Sequence, residues 1–143
     1  MTILRERCGL LTLISVAVSG LLGAPSAWPE SWIALHARNP NLTFYVDQDS
    51  IIDSKSLVTF WEKLIYEKPE QKDEVTDRLI KEKHVHRVMS CVQRTQGFKY
   101  GATCADGGKM IESLVVPEGR VELIPIAPRT VAEEELRLVC NRR

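Results

Sequence analysis

The stretch that decides the fold is the ten-residue segment LVTFWEKLIY at residues 57–66. It is rich in β-branched and aromatic residues, and successive side chains of a strand point to opposite faces. One predicted face is mostly apolar and is interrupted by Glu62; its members are Val58, Phe60, Leu64 and Tyr66. The other face holds Thr59, Trp61, Lys63 and Ile65. The stretch therefore predicts a long strand with two distinct faces.

Shorter β-forming segments flank this strand on both sides. Before it, we predict strands at 32–37 and 42–47, with turns at 38–41 and 53–56. After it, we predict strands at 84–93, 98–104, 109–116 and 121–126, with turns at 95–97, 105–108 and 117–119. Strands joined by short turns indicate an antiparallel meander rather than alternating βαβ units.

A charged segment at 67–83 interrupts the β pattern. It predicts an exposed connection with at most one or two helical turns, in which Glu74 and Arg78 can pair across one turn. The segment is also a candidate docking surface, although a solvated loop is the simpler interpretation of a run of charges.

The C-terminal segment has the clearest helical signature. Thr130 and Glu133 have the spacing of a capping box, in which the Thr130 hydroxyl accepts the Glu133 amide and the Glu133 side chain reaches back. An apolar stripe follows at helical spacing: Ala132, Leu136, Val139 and Cys140. The predicted fold class is α+β, an antiparallel meander β-sheet of about six strands with a C-terminal α-helix packed on one face.

The first 27 residues have the pattern of a signal peptide. Arg5 and Arg7 precede an uncharged apolar run at 10–22, which is shorter than the ~20 residues of a membrane-spanning helix. Small residues follow, so cleavage is expected after Ser26 or Ala27, with Ala27 favoured. We expect a domain at 28–143 that is exported and is periplasmic, cell-surface or secreted. Because no cysteine directly follows the end of the apolar run at Leu21-Leu22-Gly23, a lipid-anchor box is not expected.

Composition indicates one globular domain and excludes several classes of partner. The chain has 143 residues, of which 44% are hydrophobic and 27% are charged. Lysine plus arginine and aspartate plus glutamate each number 19, so the formal net charge is zero. This balance argues against nucleic-acid binding and against a polybasic membrane clamp. No transmembrane segment is expected in the mature chain.

Four cysteines raise the question of disulfides in an exported protein. Cys8 belongs to the predicted leader, so Cys91, Cys104 and Cys140 remain and allow three pairings. A Cys91–Cys140 bridge, which would join the middle of the sheet to the last helix, is favoured. A Cys91–Cys104 bridge within one hairpin is the alternative. The spacings do not match those of a zinc site.

His84 and His86 form the best candidate for metal binding. Residues i and i+2 of a strand face the same side, so the two imidazoles can converge. Zinc normally takes three or four ligands, and a solvated strand edge is the simpler interpretation. The sequence contains no recognisable catalytic set and no cofactor motif, so we expect a protein that is not an enzyme.

Several aromatic residues are candidates for a protein-contact surface. They are Trp28, Trp32, Tyr45, Trp61 and Tyr66. A role in the core is an equally good interpretation for each of them.

The ordered set of these features resembles the bacterial surface-adhesin protein E family. The matching positions are Trp32, Tyr45-Val46-Asp47 followed by Ser50-Ile51, Trp61, Cys91, Gly108, Pro128-Arg129-Thr130 and Cys140. The resemblance implies an antiparallel sheet of about six strands with a helix across it, and a Cys91–Cys140 disulfide. A glycine and a serine are usual where Arg129 and Thr130 stand, and Cys104 has no usual partner. The family is named for lipid-anchored adhesins that bind host matrix proteins.

These observations lead to a first hypothesis and two rivals. The first is an exported, non-catalytic binding module that contacts a matrix or envelope protein through its sheet or its charged connection. Its candidate contact residues are Trp61, Tyr66, Glu74 and Arg78. The rivals are a periplasmic metal-binding factor or small enzyme that uses His84 and His86, and a structural envelope subunit. A homo-oligomer is left open.

Overall fold

The computed structural model describes Cys8 and residues 31–69, 72–74 and 76–141. These residues form eight strands and one α-helix. The strands are β1 Trp32–His36, β2 Leu42–Asp47, β3 Ile52–Ser54, β4 Leu57–Tyr66, β5 Ile80–Ser90, β6 Thr95–Ala105, β7 Met110–Val115 and β8 Ile124–Pro125, and the helix is α1 Val131–Cys140. The first two predicted strands, the long strand and the terminal helix are confirmed.

The strands form one antiparallel sheet in the order β1-β2-β4-β5-β6-β7. The short β3 pairs with the beginning of β4, and the short β8 pairs with the beginning of β6. Along the main path, strands that follow one another in sequence lie side by side, except that β3 and β8 lie off this path, as expected for a meander with short connections.

Strand register separates the two faces of the sheet, because residues directly opposite each other share a face. Val46 pairs with Glu62 on the side that α1 covers. Tyr45 pairs with Lys63, and Trp61 pairs with His86, on the opposite side. The alternation predicted for β4 therefore holds along its length.

The hydrophobic core lies between α1 and the sheet. The fully buried residues of this cluster are Val46, Val58, Phe60, Met89, Ile126, Leu136 and Val139. Ala132 and Cys140, the other members of the predicted stripe, pack partly buried against them. The prediction that the helix lies on one face of the sheet is confirmed.

The start of α1 differs from an ordinary capping box in one bond. The Thr130 hydroxyl accepts the Glu133 amide at 3.4 Å, as predicted. The Glu133 carboxylate, however, accepts the backbone amide of Arg129 at 2.8 Å, one residue before the cap. Arg129, immediately before the cap residue, has a left-handed backbone conformation with φ of 60°.

The Cys91–Cys140 disulfide joins the end of β5 to the end of α1, with 5.9 Å between the Cα atoms. Closing a loop of this length is worth about 4 kcal/mol in the chain-entropy model. Cys104 is bonded to Cys8, whereas the pairing favoured from the sequence leaves Cys104 unpaired, because Cys8 belongs to the predicted leader. Apart from Cys8, the predicted signal peptide lies outside the described residues.

The strand count of about six is an underestimate, since the described residues form eight strands. Six strands make the main path of the sheet. Strand β3 was not predicted because two of its three residues fall within the predicted turn at 53–56. Strand β2 pairs with β4 only from Glu62 onward, so residues 57–59 of β4 have free backbone groups that β3 satisfies. The predicted strand at 121–126 reduces to β8, which pairs with only two residues of β6.

The turn predicted at 95–97 is wrong. The chain reverses at residues 91–94, where Arg94 has φ of 54°, and residues 95–97 already belong to β6. Gly97 is needed for close packing, because a Cβ atom there would lie 2.5 Å from the Glu122 carbonyl oxygen. Glycine is common in turns, but at this position it permits the close approach of another segment to the strand.

The connection predicted at 67–83 ends earlier than expected, because β5 begins at Ile80. Ile80 is buried and pairs with Ala105, which anchors the charged residues after it in the sheet. The helical pairing of Glu74 with Arg78 is also wrong: among the described residues, the ion pair of this segment joins Lys72 to Asp77 at 3.1 Å. The Arg78 carbonyl accepts the Asp73 amide instead.

Candidate functional site: the aromatic face of the sheet

A cross-strand row of three rings lies on the sheet face opposite α1. Trp61 of β4 stacks on His86 of β5, with ring centroids 4.8 Å apart and an angle of 17° between the planes. Tyr100 of β6 meets Trp61 edge-on at 5.7 Å. Trp61 pairs with His86 and His86 pairs with Tyr100, so the ladder itself brings the rings together.

A lysine joins two further rings to this row. The Lys63 ammonium lies 4.3 Å from the ring centroid of Trp32 and 5.7 Å from that of Tyr45. Such cation–π contacts hold a long side chain flat on the sheet and place a positive charge among the rings. We call this surface the aromatic face and define it by Trp32, Tyr45, Trp61, Lys63, His86 and Tyr100; all six are half-buried.

The backbone at Trp61 is held in place by a hydrogen bond to Ser50. The Ser50 hydroxyl accepts the Trp61 amide at 2.8 Å and donates to the Asp47 carbonyl at 2.7 Å. This bridge holds the 3-10 turn at Gln48–Ser50 against β4. The position of Trp61 is therefore set by backbone bonds and does not require a partner to order it.

His84 and His86 do point to the same face, as their spacing predicts, but each is engaged by another side chain. His84 Nε2 lies 2.6 Å from a carboxylate oxygen of Glu82, and His86 stacks on Trp61. Within the described ranges, no group of three or more His, Cys, Asp or Glu side chains is arranged to hold a metal ion.

Burial and neighbouring charged or hydrogen-bonding groups shift the pKa values of His86 and Glu82 on this face. Burial, followed by the charge of Lys99, lowers the pKa of His86 below its ordinary value. Burial opposes ionisation of Glu82, but the hydrogen bond with His84 and nearby charges outweigh it and lower the pKa of Glu82. The face thus carries an uncharged ring stack beside a carboxylate and several ammonium groups.

The contact residues proposed from sequence are not brought together. Trp61 lies on the aromatic face, whereas Tyr66 lies on the opposite face near the end of β4, where Lys83 approaches its ring at 5.8 Å. Glu74 and Arg78 lie in the connection before β5. Trp28 falls outside the described residues.

Sequence reasoning named three members of the aromatic face and missed the other three. Pairing of β1, β2 and β4 brings Lys63 beside Trp32, and pairing of β4, β5 and β6 brings His86 and Tyr100 beside Trp61. The available signal was the alternation that puts Trp61 and Lys63 on one side of β4. The sequence did not reveal the bulge after His86 that aligns Tyr100 with this row.

A shallow cavity of about 530 Å³ opens on the other face of the sheet, beyond the area that α1 covers. Its lining is mixed and includes Val85, Phe98, Leu114, Lys83 and Glu112. A second cavity of about 590 Å³ lies between the end of β1 and the start of α1, lined by arginines and glutamates.

The sequence and the fold of this chain can be compared with those of known proteins. The model of the surface-adhesin protein E family matches residues 32–141. The chain belongs to the surface-adhesin protein E family. No curated protein sequence matches this chain.

Solved structures of Haemophilus influenzae protein E share the fold. The selenomethionine form is 13% identical with a TM-score of 0.55, covering 85% of this chain and 94% of that one. A second structure is 15% identical with a TM-score of 0.55, covering 84% and 91%. A structure from non-typeable H. influenzae is 15% identical with a TM-score of 0.53, covering 84% and 82%. The family expectation drawn from the sequence is confirmed. In the described part of the chain, the α-helix is too short to cross a membrane.

Proposed function

We propose that this protein is an exported, non-catalytic binding module that contacts a protein partner through its aromatic face. Membership of a surface-adhesin family supports a role in binding at the cell surface or outside the cell. The single observation that carries the choice of face is the row of Trp61, His86 and Tyr100 on the side away from α1.

The composition of the aromatic face is that of a protein-contact surface. Tryptophan and tyrosine are enriched among residues that dominate binding energy, because they present large, rigid areas with a polar tip. The Trp61 ring is already stacked and its backbone is already bonded to Ser50, so little conformational entropy remains to be lost on binding.

The charges around the rings favour a partner with acidic groups at the contact. Lys63 lies over two rings of the face, and the charge of Lys99 acts on His86. A carboxylate of the partner would pair with these ammonium groups, while its apolar atoms pack on the rings. The partner class is a matrix or envelope protein.

A Trp61→Ala variant tests this proposal. The exported form is immobilised, matrix and envelope protein extracts are passed over it, and each captured protein is identified and titrated by surface plasmon resonance. We expect Trp61→Ala to weaken binding of the captured partner by on the order of tenfold or more, because truncation of a central aromatic anchor removes buried contact area.

Phe98→Ala is the matched control, since Phe98 is an aromatic residue 38% exposed on the opposite face. Circular dichroism of both variants verifies that the sheet is intact. Equal loss of affinity in the two variants, or retention of full affinity in Trp61→Ala, would contradict use of the aromatic face.

A further inference from the structure

Two glutamates and one arginine are buried together between α1 and the sheet. Glu62 of β4 is 0% exposed and Glu135 of α1 is 1% exposed. Arg87 of β5 donates its Nε–H to Glu62 Oε2, and its side chain is 22% exposed. These are the charged side chains within the core of the described domain that link the helix to β4 and β5.

The hydrogen bonding of this cluster does not balance with both carboxyl groups ionised. Glu62 Oε1 and Glu135 Oε1 are both buried, and neither has a hydrogen-bond donor. Both side chains are buried between the same helix and strand, and a hydrogen bond with Glu62 is one of the causes that raise the pKa of Glu135. If both carboxyl groups were ionised, their buried oxygens would be hydrogen-bond acceptors without donors in a site of low polarity. One guanidinium would then have to offset two negative charges.

One proton placed between the two carboxyl groups resolves both deficits. It turns one oxygen into a donor, satisfies the facing oxygen, and leaves a single negative charge to match Arg87. We propose that Glu62 and Glu135 share one proton in the folded protein, and that this hydrogen bond clamps α1 to β4. Loss of the proton at alkaline pH then weakens the docking of α1.

The groups that face Glu135 set the pH at which the clamp is lost. Burial and the charge of Glu62 raise the pKa of Glu135 from 4.5 to about 9, while Arg87 acts in the opposite direction. The rest of the described core around the helix is apolar. Because the folded pKa lies above the ordinary value, the folded protein holds one more proton than the unfolded chain between these two values. Stability therefore falls as pH rises through that window.

Urea unfolding of the wild type and of Glu135→Gln at pH 7 and pH 8, monitored by tryptophan fluorescence, tests the proposed hydrogen bond. The glutamine keeps a donor for Glu62 and does not titrate. We expect the folded-to-unfolded ratio of the wild type to fall about tenfold more over this pH unit than that of Glu135→Gln. Glu134→Gln, which changes the exposed neighbour on the same helix, should behave as the wild type does. Equal pH slopes in wild type and Glu135→Gln would overturn the proposal.

Infrared spectroscopy of the wild type gives a second readout that does not depend on the variant folding. We expect the C=O stretching band of a protonated carboxyl group at pH 7, when other carboxyl groups are ionised, and its disappearance in parallel with loss of helix docking near pH 9. Amide hydrogen exchange along α1 reports that docking. A wild-type spectrum without the band at pH 7 would also overturn the proposal.

Discussion

Individual side chains show how one physical cause shifts two groups in opposite directions. Burial disfavours the charged form of any group, so it lowers the pKa of His86 and raises the pKa of Glu135. Neighbouring charges then add to each shift: Lys99 acts on His86, and Glu62 acts on Glu135. The two groups therefore give opposite slopes of stability against pH: His86 makes stability fall as pH drops below 6.5, and Glu135 makes it fall as pH rises from 4.5 to about 9.

Replacing Lys99 tests the electrostatic part of the His86 shift. We expect Lys99→Gln to raise the pKa of His86 toward its ordinary value of 6.5, but not to reach it, because burial remains. A histidine with a lowered folded pKa makes the protein less stable as pH falls below the ordinary value, since the unfolded chain takes up the proton more readily. NMR titration of the His86 ring measures the change.

Lys109→Gln is the control for this titration, because Lys109 is an exposed lysine that does not contribute to the His86 shift. It should leave the His86 titration where it is in the wild type. An unchanged or lower His86 pKa in Lys99→Gln would contradict a repulsive effect of Lys99 on His86.

At the level of elements, the sequence predicts strands with strong alternation, but it does not predict which strands pair with them. The segment Leu57–Tyr66 and the helix Val131–Cys140 follow from local pattern, because one face of each is buried in a single core. Strand β3 and the start of β5 at Ile80 were missed because their place depends on pairing with distant residues rather than on local composition. The same limit hid Lys63, His86 and Tyr100 from the predicted contact surface.

The two glycines of β6 provide a test of why glycine stands where it does. A Cβ at Gly97 would lie 2.5 Å from the Glu122 carbonyl oxygen, whereas a Cβ at Gly101 would meet nothing within 4 Å. We expect Gly97→Ala to destabilise the fold by about 1–3 kcal/mol through overpacking. Gly101→Ala should be neutral or stabilise by about 0.5–1 kcal/mol, because glycine in a strand interior has an entropic cost.

Chemical denaturation of both glycine variants measures this difference directly. Because the two positions share one strand and one substitution, intrinsic strand preference is common to them and the difference reports the contact with Glu122. Similar free energies of unfolding in Gly97→Ala and Gly101→Ala would show that the segment around Glu122 moves aside without cost.

In the whole molecule, the hydrophobic core lies on one face of the sheet and the proposed contact surface lies on the other. One face holds the apolar core under α1, the buried cluster of Glu62, Arg87 and Glu135, and the nearby disulfide to Cys140. The other carries the aromatic face, whose rings pack on one another across strands. Because α1 and the disulfide stabilise the sheet from the core side, we expect substitutions on the aromatic face to have little effect on the core.

The state of the cysteines distinguishes the 143-residue chain from the shorter chain expected after cleavage of the predicted leader. In the 143-residue chain, Cys104 is bonded to Cys8 and Cys91 is bonded to Cys140. Cleavage after Ala27 removes Cys8, so we expect the exported protein to begin at residue 28, to keep the second disulfide and to hold Cys104 as a thiol. Intact mass before and after iodoacetamide treatment in denaturant, without reductant, should then show one alkyl group per chain. A Cys104→Ser variant should take up none, and an exported chain that retains residues 1–27 with no alkylated cysteine would contradict the assignment of the leader.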